Sequence, residues 1–127
     1  VIVGIGTDIV RISRIEKNLQ RFGNKFAERI LTENELAEFL QHKNPASFLA
    51  KRFAAKEAAA KAMGCGFRDG LMLSHIGTGH DALGKPLLEY SDKAIEHCKR
   101  LKISKSHLSV SDEDEYAVAF VTLVADE

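Results

Sequence analysis

Arg52-Phe-Ala-Ala-Lys56-Glu57-Ala-Ala-Ala-Lys61-Ala-Met-Gly64 places one acid and three bases in a single helix that ends at a glycine. Glu57 and Lys61 stand four residues apart and therefore project from one side of that helix, while Arg52 and Lys56 share the same spacing on an adjacent stripe. Only alanines and one phenylalanine stand between these charged residues, so the backbone can come close to other elements. Two readings are open for the segment alone. It is a solvated, Ala-rich helix with one Glu–Lys pair, or a carboxylate set beside cations to hold a metal ion and phosphate oxygens.

Outward from this helix the elements alternate. Asn44-Pro45 opens it, because proline is tolerated at the first helical position. Thr32-Glu-Asn-Glu35 forms a capping box for a preceding helix that runs to about Gln41. Ile12, Ile15, Leu19 and Phe22 repeat at helical spacing up to Gly23, and a short helix through Phe26 and Ile30 follows. Downstream, Leu71 to Thr78 reads as a strand, a turn around Gly84 leads to Pro86-Leu-Leu-Glu, and Tyr90 to Leu101 is helical with Ala94, Ile95 and Cys98 inward. His107 to Ser111 and Tyr116 to Val124 are closing strands around an acidic turn. The expected fold is a single α+β domain over residues 1–127, with an antiparallel sheet packed against one long central helix.

The chain opens with Val1-Ile-Val-Gly4-Ile-Gly6-Thr-Asp8-Ile-Val10, a β-branched run that reads as a buried strand. Asp8 interrupts it. A buried, unpaired carboxylate is costly, so Asp8 calls for a cation, a metal or a set of donors; capping the next helix is the other reading. Gly4 and Gly6 allow close backbone approach, but no third glycine completes a dinucleotide-binding fingerprint.

These stretches resemble, in order, the signatures of the holo-[acyl-carrier-protein] synthase family of 4′-phosphopantetheinyl transferases. The segments are Gly4-Ile-Gly-Thr-Asp8 through Glu16, Arg52 through Gly64, Gly84-Lys85-Pro86, and Leu108-Ser-Val-Ser-Asp112. The resemblance implies a Mg²⁺-dependent enzyme that moves the phosphopantetheine arm of coenzyme A to a serine of apo acyl carrier protein and releases adenosine 3′,5′-bisphosphate. It also implies a homotrimer with active sites between subunits. On that reading Asp8 and Glu57 hold Mg²⁺, and Lys61 stabilises the diphosphate. Arg52, Lys56 and Lys43 are expected to make other phosphate contacts, and Gly84-Lys85-Pro86 to shape a loop along the nucleotide. Many relatives carry histidine where this chain has Asp112, so here either a carboxylate serves in its place or the position is not catalytic.

The first helix adds a feature of its own. Arg11, Arg14, Lys17 and Arg21, extended by Lys25, make a basic stripe opposite the apolar one. In a chain whose 18 basic and 18 acidic residues cancel, that stripe is either a solvated helix face or a surface for an acidic protein, which the resemblance identifies with the acyl carrier protein. The overall neutrality argues against indiscriminate nucleic-acid binding. Cys65 and Cys98 form no Cys-x-x-Cys unit, so a zinc site is not expected and both thiols are read as reduced. His75 and His80 lack helical ligand spacing and read as ordinary loop histidines. No stretch approaches a membrane span, and no charged-then-apolar leader is visible, so the expected location is cytoplasmic. Two other functions fit parts of the pattern: a Mg²⁺-dependent nucleotide phosphohydrolase, and a non-catalytic oligomeric module for an acidic protein.

Overall fold

The helix that opens at Pro45 runs to Met63 (α4) and ends at Gly64, whose φ of 78° is the left-handed conformation that glycine adopts without strain. In this computed structural model, which describes residues 1–127, α4 is buried on most of its circumference. Ala50, Ala54, Ala55, Ala58, Ala59 and Ala60 are all inside, with Phe48, Leu49 and Met63. The solvated-helix reading is thereby excluded: small side chains on every side let neighbouring elements pack against the helix all round.

Three helices precede α4: α1 (Ile12–Phe22), α2 (Asn24–Ile30) and α3 (Glu33–Gln41). The capping box of α3 forms as the sequence predicts, with Thr32 Oγ1 accepting from the Glu35 N–H at 3.2 Å and Glu35 Oε1 accepting from the Thr32 N–H at 3.0 Å. Strands β1 (Ile2–Arg11), β4 (Ile103–Asp112) and β5 (Tyr116–Ala125) form one antiparallel sheet in the order β1-β5-β4. Strands β2 (Ile76–His80) and β3 (Pro86–Tyr90) form a separate hairpin, and α5 (Lys93–Arg100) links it to β4. The α+β architecture with an antiparallel sheet on a long helix stands, divided into two sheets. Tyr90 Oη and Ser106 Oγ, 2.5 Å apart, join the hairpin to the main sheet.

β1 lies against α4 through its even-numbered residues. A Cβ on Gly4 would fall 1.8 Å from the Ala62 carbonyl oxygen, and one on Gly6 2.0 Å from that of Ala58. Strand and helix therefore meet backbone to backbone, which only glycine permits. The expectation of a fully buried strand is corrected here: Val3, Ile5 and Ile9 are exposed on the other face, because one layer covers the sheet on one side only. Val118 and Phe120 of β5 are exposed with them, Val118 opposite Ile9 and Phe120 opposite Thr7.

Two boundaries also move. Leu73–His75 is a 3₁₀ turn rather than strand, since His75 Nδ1 accepts from the Met72 N–H at 3.1 Å and pins the turn. α5 begins at Lys93, not Tyr90, after Asp92 takes a positive φ of 47°. Its inward face is Ala94 and His97 with Cys98 half-buried, whereas Ile95 is exposed. Burial pushes the Cys98 thiol up to about 11, so it stays protonated at neutral pH.

Candidate active site

The crossing of β1 over α4 assembles the first part of the site. Asp8 follows Gly4 and Gly6 at the strand's two-residue period, so it faces the helix at the level the glycines bring close. Lys61 Nζ donates to Asp8 Oδ1 at 3.0 Å and to the Thr7 carbonyl at 3.0 Å. Glu57, one turn before Lys61, is half-buried beside them. Its carboxyl is raised above the usual range by burial first and then by the negative charge of Asp8, with Lys61 opposing. Asp8, Glu57 and Lys61, distant in sequence, thus form one cluster.

Two carboxylates facing each other suit a hard divalent cation. No group of three or more His, Cys, Asp or Glu side chains gathers anywhere in the chain, so the donor set is a pair. A pair fits Mg²⁺, which retains waters and takes one or two carboxylates together with substrate phosphates. It does not fit a structural zinc site, which is closed by four protein ligands.

Arg52 and Lys56 depart from this cluster. One residue of helix rotates the side chain by about 100°, so Lys56 points away from Glu57 and into the core. It is fully buried, with Nζ donating to Glu35 Oε1 at 2.6 Å and to the Ile76 carbonyl. Burial lowers its pKa and Glu35 opposes that shift. Placing Lys56 against a bound phosphate is therefore corrected: its ammonium is spent inside the protein. Glu35, unremarked in the sequence except as a helix cap, proves to be the hub. It also accepts from the Thr78 N–H at 2.9 Å and from Arg52 Nη1 at 3.4 Å, so one carboxylate ties α3, α4 and the β2–β3 hairpin together. The capping box marked the residue; nothing local marked its burial.

Arg52 is also largely buried, yet it reaches a cleft. Nη1 donates to the Thr78 carbonyl at 3.0 Å, the guanidinium lies 4.5 Å from the Phe48 ring centroid, and Nη2 meets Glu38 Oε2 at 3.3 Å. Glu38, His42, Lys51, His80, Gly84 and Asp112 share the cleft lining with it. Gly84 and Pro86 thus stand beside Arg52, and Lys85 between them is exposed. Asp81 builds their turn, its Oδ1 accepting from the Leu83 and Lys85 N–H groups at 2.9 Å each. Lys43 is exposed on the α3–α4 connection and pairs with no carboxylate. Asp112 accepts from Ser47 Oγ at 3.1 Å and lies 3.6 Å from Lys51 Nζ. Ser47 precedes Glu57 by ten residues, about 15 Å of helix rise, so within one protomer Asp112 is remote from the carboxylate pair.

Arg14, Lys17, Arg21 and Lys25 are exposed along α1 and its continuation, and none is ion-paired with a carboxylate. Arg11 closes β1 instead, donating to Tyr116 Oη at 2.9 Å. No helix is long and apolar enough to cross a membrane.

Known proteins share this fold. The chain is 58% identical to a holo-[acyl-carrier-protein] synthase of Hamiltonella defensa over 94% of its own length and 95% of the relative's. Its fold superposes on the crystal structure of the Neisseria meningitidis holo-[acyl-carrier-protein] synthase with a TM-score of 0.92, at 49% identity over 98% of this chain and 99% of that one. The Bacillus anthracis synthase, solved in complex with CoA (3′,5′-ADP), matches with a TM-score of 0.83 at 42% identity over 98% of each chain. Residues 4–121 match the family model of the 4′-phosphopantetheinyl transferase superfamily, and the chain belongs to that family.

Proposed function

We propose that this protein is a holo-[acyl-carrier-protein] synthase, transferring the 4′-phosphopantetheine arm of coenzyme A to a serine hydroxyl of apo acyl carrier protein. The observation that carries this reading is the cluster of Asp8, Glu57 and Lys61 where β1 crosses α4, in a chain of this family. The serine oxygen forms a bond to the β-phosphorus of coenzyme A. The bond from that phosphorus to the bridging oxygen breaks, and adenosine 3′,5′-bisphosphate leaves. Asp8 and Glu57 would hold Mg²⁺, which supplies neutralisation of the diphosphate charge. Lys61, half-exposed and already oriented by Asp8 and the Thr7 carbonyl, places a cation where negative charge accumulates on the leaving oxygen. Glu57 would take the serine proton through a water, since a carboxylate that holds a metal ion is itself a weak base.

Arg52 with Gly84, Lys85 and Pro86 would receive the nucleotide end of coenzyme A, and Lys43 stands near enough in the chain to extend that surface. The stripe of Arg14, Lys17, Arg21 and Lys25 would meet the acidic carrier protein, aiding encounter and orientation. The open face of the main sheet, with Val3, Ile5, Ile9, Val118 and Phe120 exposed together, supports self-association, since a monomer rarely leaves a contiguous apolar patch of that kind bare. We read the assembly as a homotrimer whose neighbouring subunits complete the active sites, working in the cytoplasm.

The test is the intact mass of apo acyl carrier protein incubated with this protein, coenzyme A and Mg²⁺. A gain of one phosphopantetheine arm is expected, lost with chelator and with Glu57→Ala. Release of phosphopantetheine with no gain in carrier mass would instead mark a hydrolase.

A further inference from the structure

The cleft around Arg52 holds a charge balance that a site for a polyanion would not be expected to have. Its two permanent cations, Lys51 and Arg52, face two carboxylates in the same lining, Asp112 and Glu38. Each cation is paired: Arg52 Nη2 with Glu38 Oε2 at 3.3 Å, and Lys51 Nζ with Asp112 Oδ1 at 3.6 Å. Behind them, Lys56 and Glu35 neutralise one another in the core. Within one protomer the lining is therefore neutral, apart from its histidines.

The two partners of Arg52 are unequal. Its Nη1 side is held from within by the Thr78 carbonyl and Glu35, and Phe48 supports the guanidinium plane, so its position does not depend on Glu38. Glu38 is more than half exposed and binds only the outward Nη2. Guanidinium takes phosphate and carboxylate oxygens in the same geometry. Glu38 thus occupies the position on Arg52 that a phosphate oxygen would take. Asp112 stands likewise toward Lys51, anchored by Ser47 at the end of β4.

We propose that Glu38 and Asp112 are built-in counter-ions of Arg52 and Lys51, which an incoming phosphate must displace, so that the protein holds its nucleotide less tightly than its cations alone would allow. The inference rests on the coenzyme A reading above. It gives Asp112 a role other than proton transfer, and it adds product release to what the cleft accomplishes: the same carboxylates that oppose entry re-form their pairs as the bisphosphate leaves.

The experiment is calorimetric titration of adenosine 3′,5′-bisphosphate into the full-length protein at low salt, for wild type, Glu38→Gln, Glu38→Asp, Asp112→Asn and, as a control on the same helix outside the cleft, Glu33→Gln. An exposed ion pair that must be broken costs an amount that converts to roughly two- to fivefold in affinity. Glu38→Gln and Asp112→Asn are each expected to tighten binding by that factor, and Glu33→Gln to leave it unchanged. Glu38→Asp keeps the charge but retracts it from Arg52, and is expected to tighten binding in part. Unchanged or weaker binding in Glu38→Gln or Asp112→Asn would overturn the inference, because a counter-ion that must be displaced weakens binding while it is present. Wild-type behaviour of Glu38→Asp beside a tightened Glu38→Gln would overturn it too, by showing a general field instead of a displaced contact. Failure of the wild type to bind the bisphosphate would instead remove the coenzyme reading itself.

Discussion

Glu57 serves opposed demands in the free and the loaded protein. Burial and the Asp8 charge raise its pKa, so without a cation its ionised form is disfavoured in the fold. A carboxyl raised above its ordinary value of 4.5 contributes stability that is present at low pH and lost as pH climbs through the raised value. Glu57→Gln is therefore expected to melt higher than wild type at pH 7 and no higher at pH 4, while transfer activity falls by about a hundredfold or more. Added Mg²⁺ should raise the wild-type melting temperature and leave the variant's unmoved. Because protons and Mg²⁺ compete for Glu57, the acid limb of the wild-type activity profile should move to lower pH as the Mg²⁺ concentration is raised. Lys56 presents the converse case of a residue consumed by structure. Lys56→Met strands the buried Glu35 without its nearest cation and should cost about 3 kcal/mol in denaturant unfolding. Adding Glu35→Gln should recover part of that loss.

At the scale of elements, the contact of β1 with α4 brings together the proposed catalytic residues. The obstacle to a side chain at Gly6 is helix backbone, the Ala58 carbonyl, which cannot step aside as a flexible side chain can. Gly6→Ala should destabilise the fold by on the order of 3 kcal/mol. Any folded fraction should lose more activity than stability explains, because the strand that carries Asp8 must lift from the helix that carries Glu57 and Lys61. Helix α1 carries the stripe proposed to meet the carrier protein. Reversal of Lys17 and Arg21 to glutamate should raise KM for the carrier protein roughly tenfold or more at low salt and leave KM for coenzyme A near its wild-type value. Steady-state kinetics varying each substrate in turn separates the two.

For the whole molecule, the uncovered sheet face matters most. Phe120 and Val118 sit at the middle of an apolar surface that includes Ile5 and Ile9, on the face opposite α4. On the proposed homotrimer reading, Phe120→Asp should yield monomers in sedimentation velocity, with a loss of activity that high protein concentration partly restores. An assembly that survives this charge would place the subunit contact elsewhere.

Much of this protein was determined locally. The capping box at Thr32, Pro45 and Gly64 at the ends of α4, and the helical period of α1 act through groups within one or two turns, so the sequence alone locates those elements. Asp8, Glu57 and Lys61 were legible as reactive residue types, and the family resemblance joined them. Their common position needed the fold, because it depends on two glycines in one strand meeting two carbonyls of a helix over 50 residues away. The inward turn of Lys56 and the hub role of Glu35 were likewise decided only in three dimensions. Whether a charge faces solvent or core depends on which element packs over that side, and an alanine-rich helix with no apolar stripe leaves that choice to its neighbours. The open face of β1 followed the same rule: a β-branched run specifies a strand, but how many of its faces are covered is a property of the layers around it.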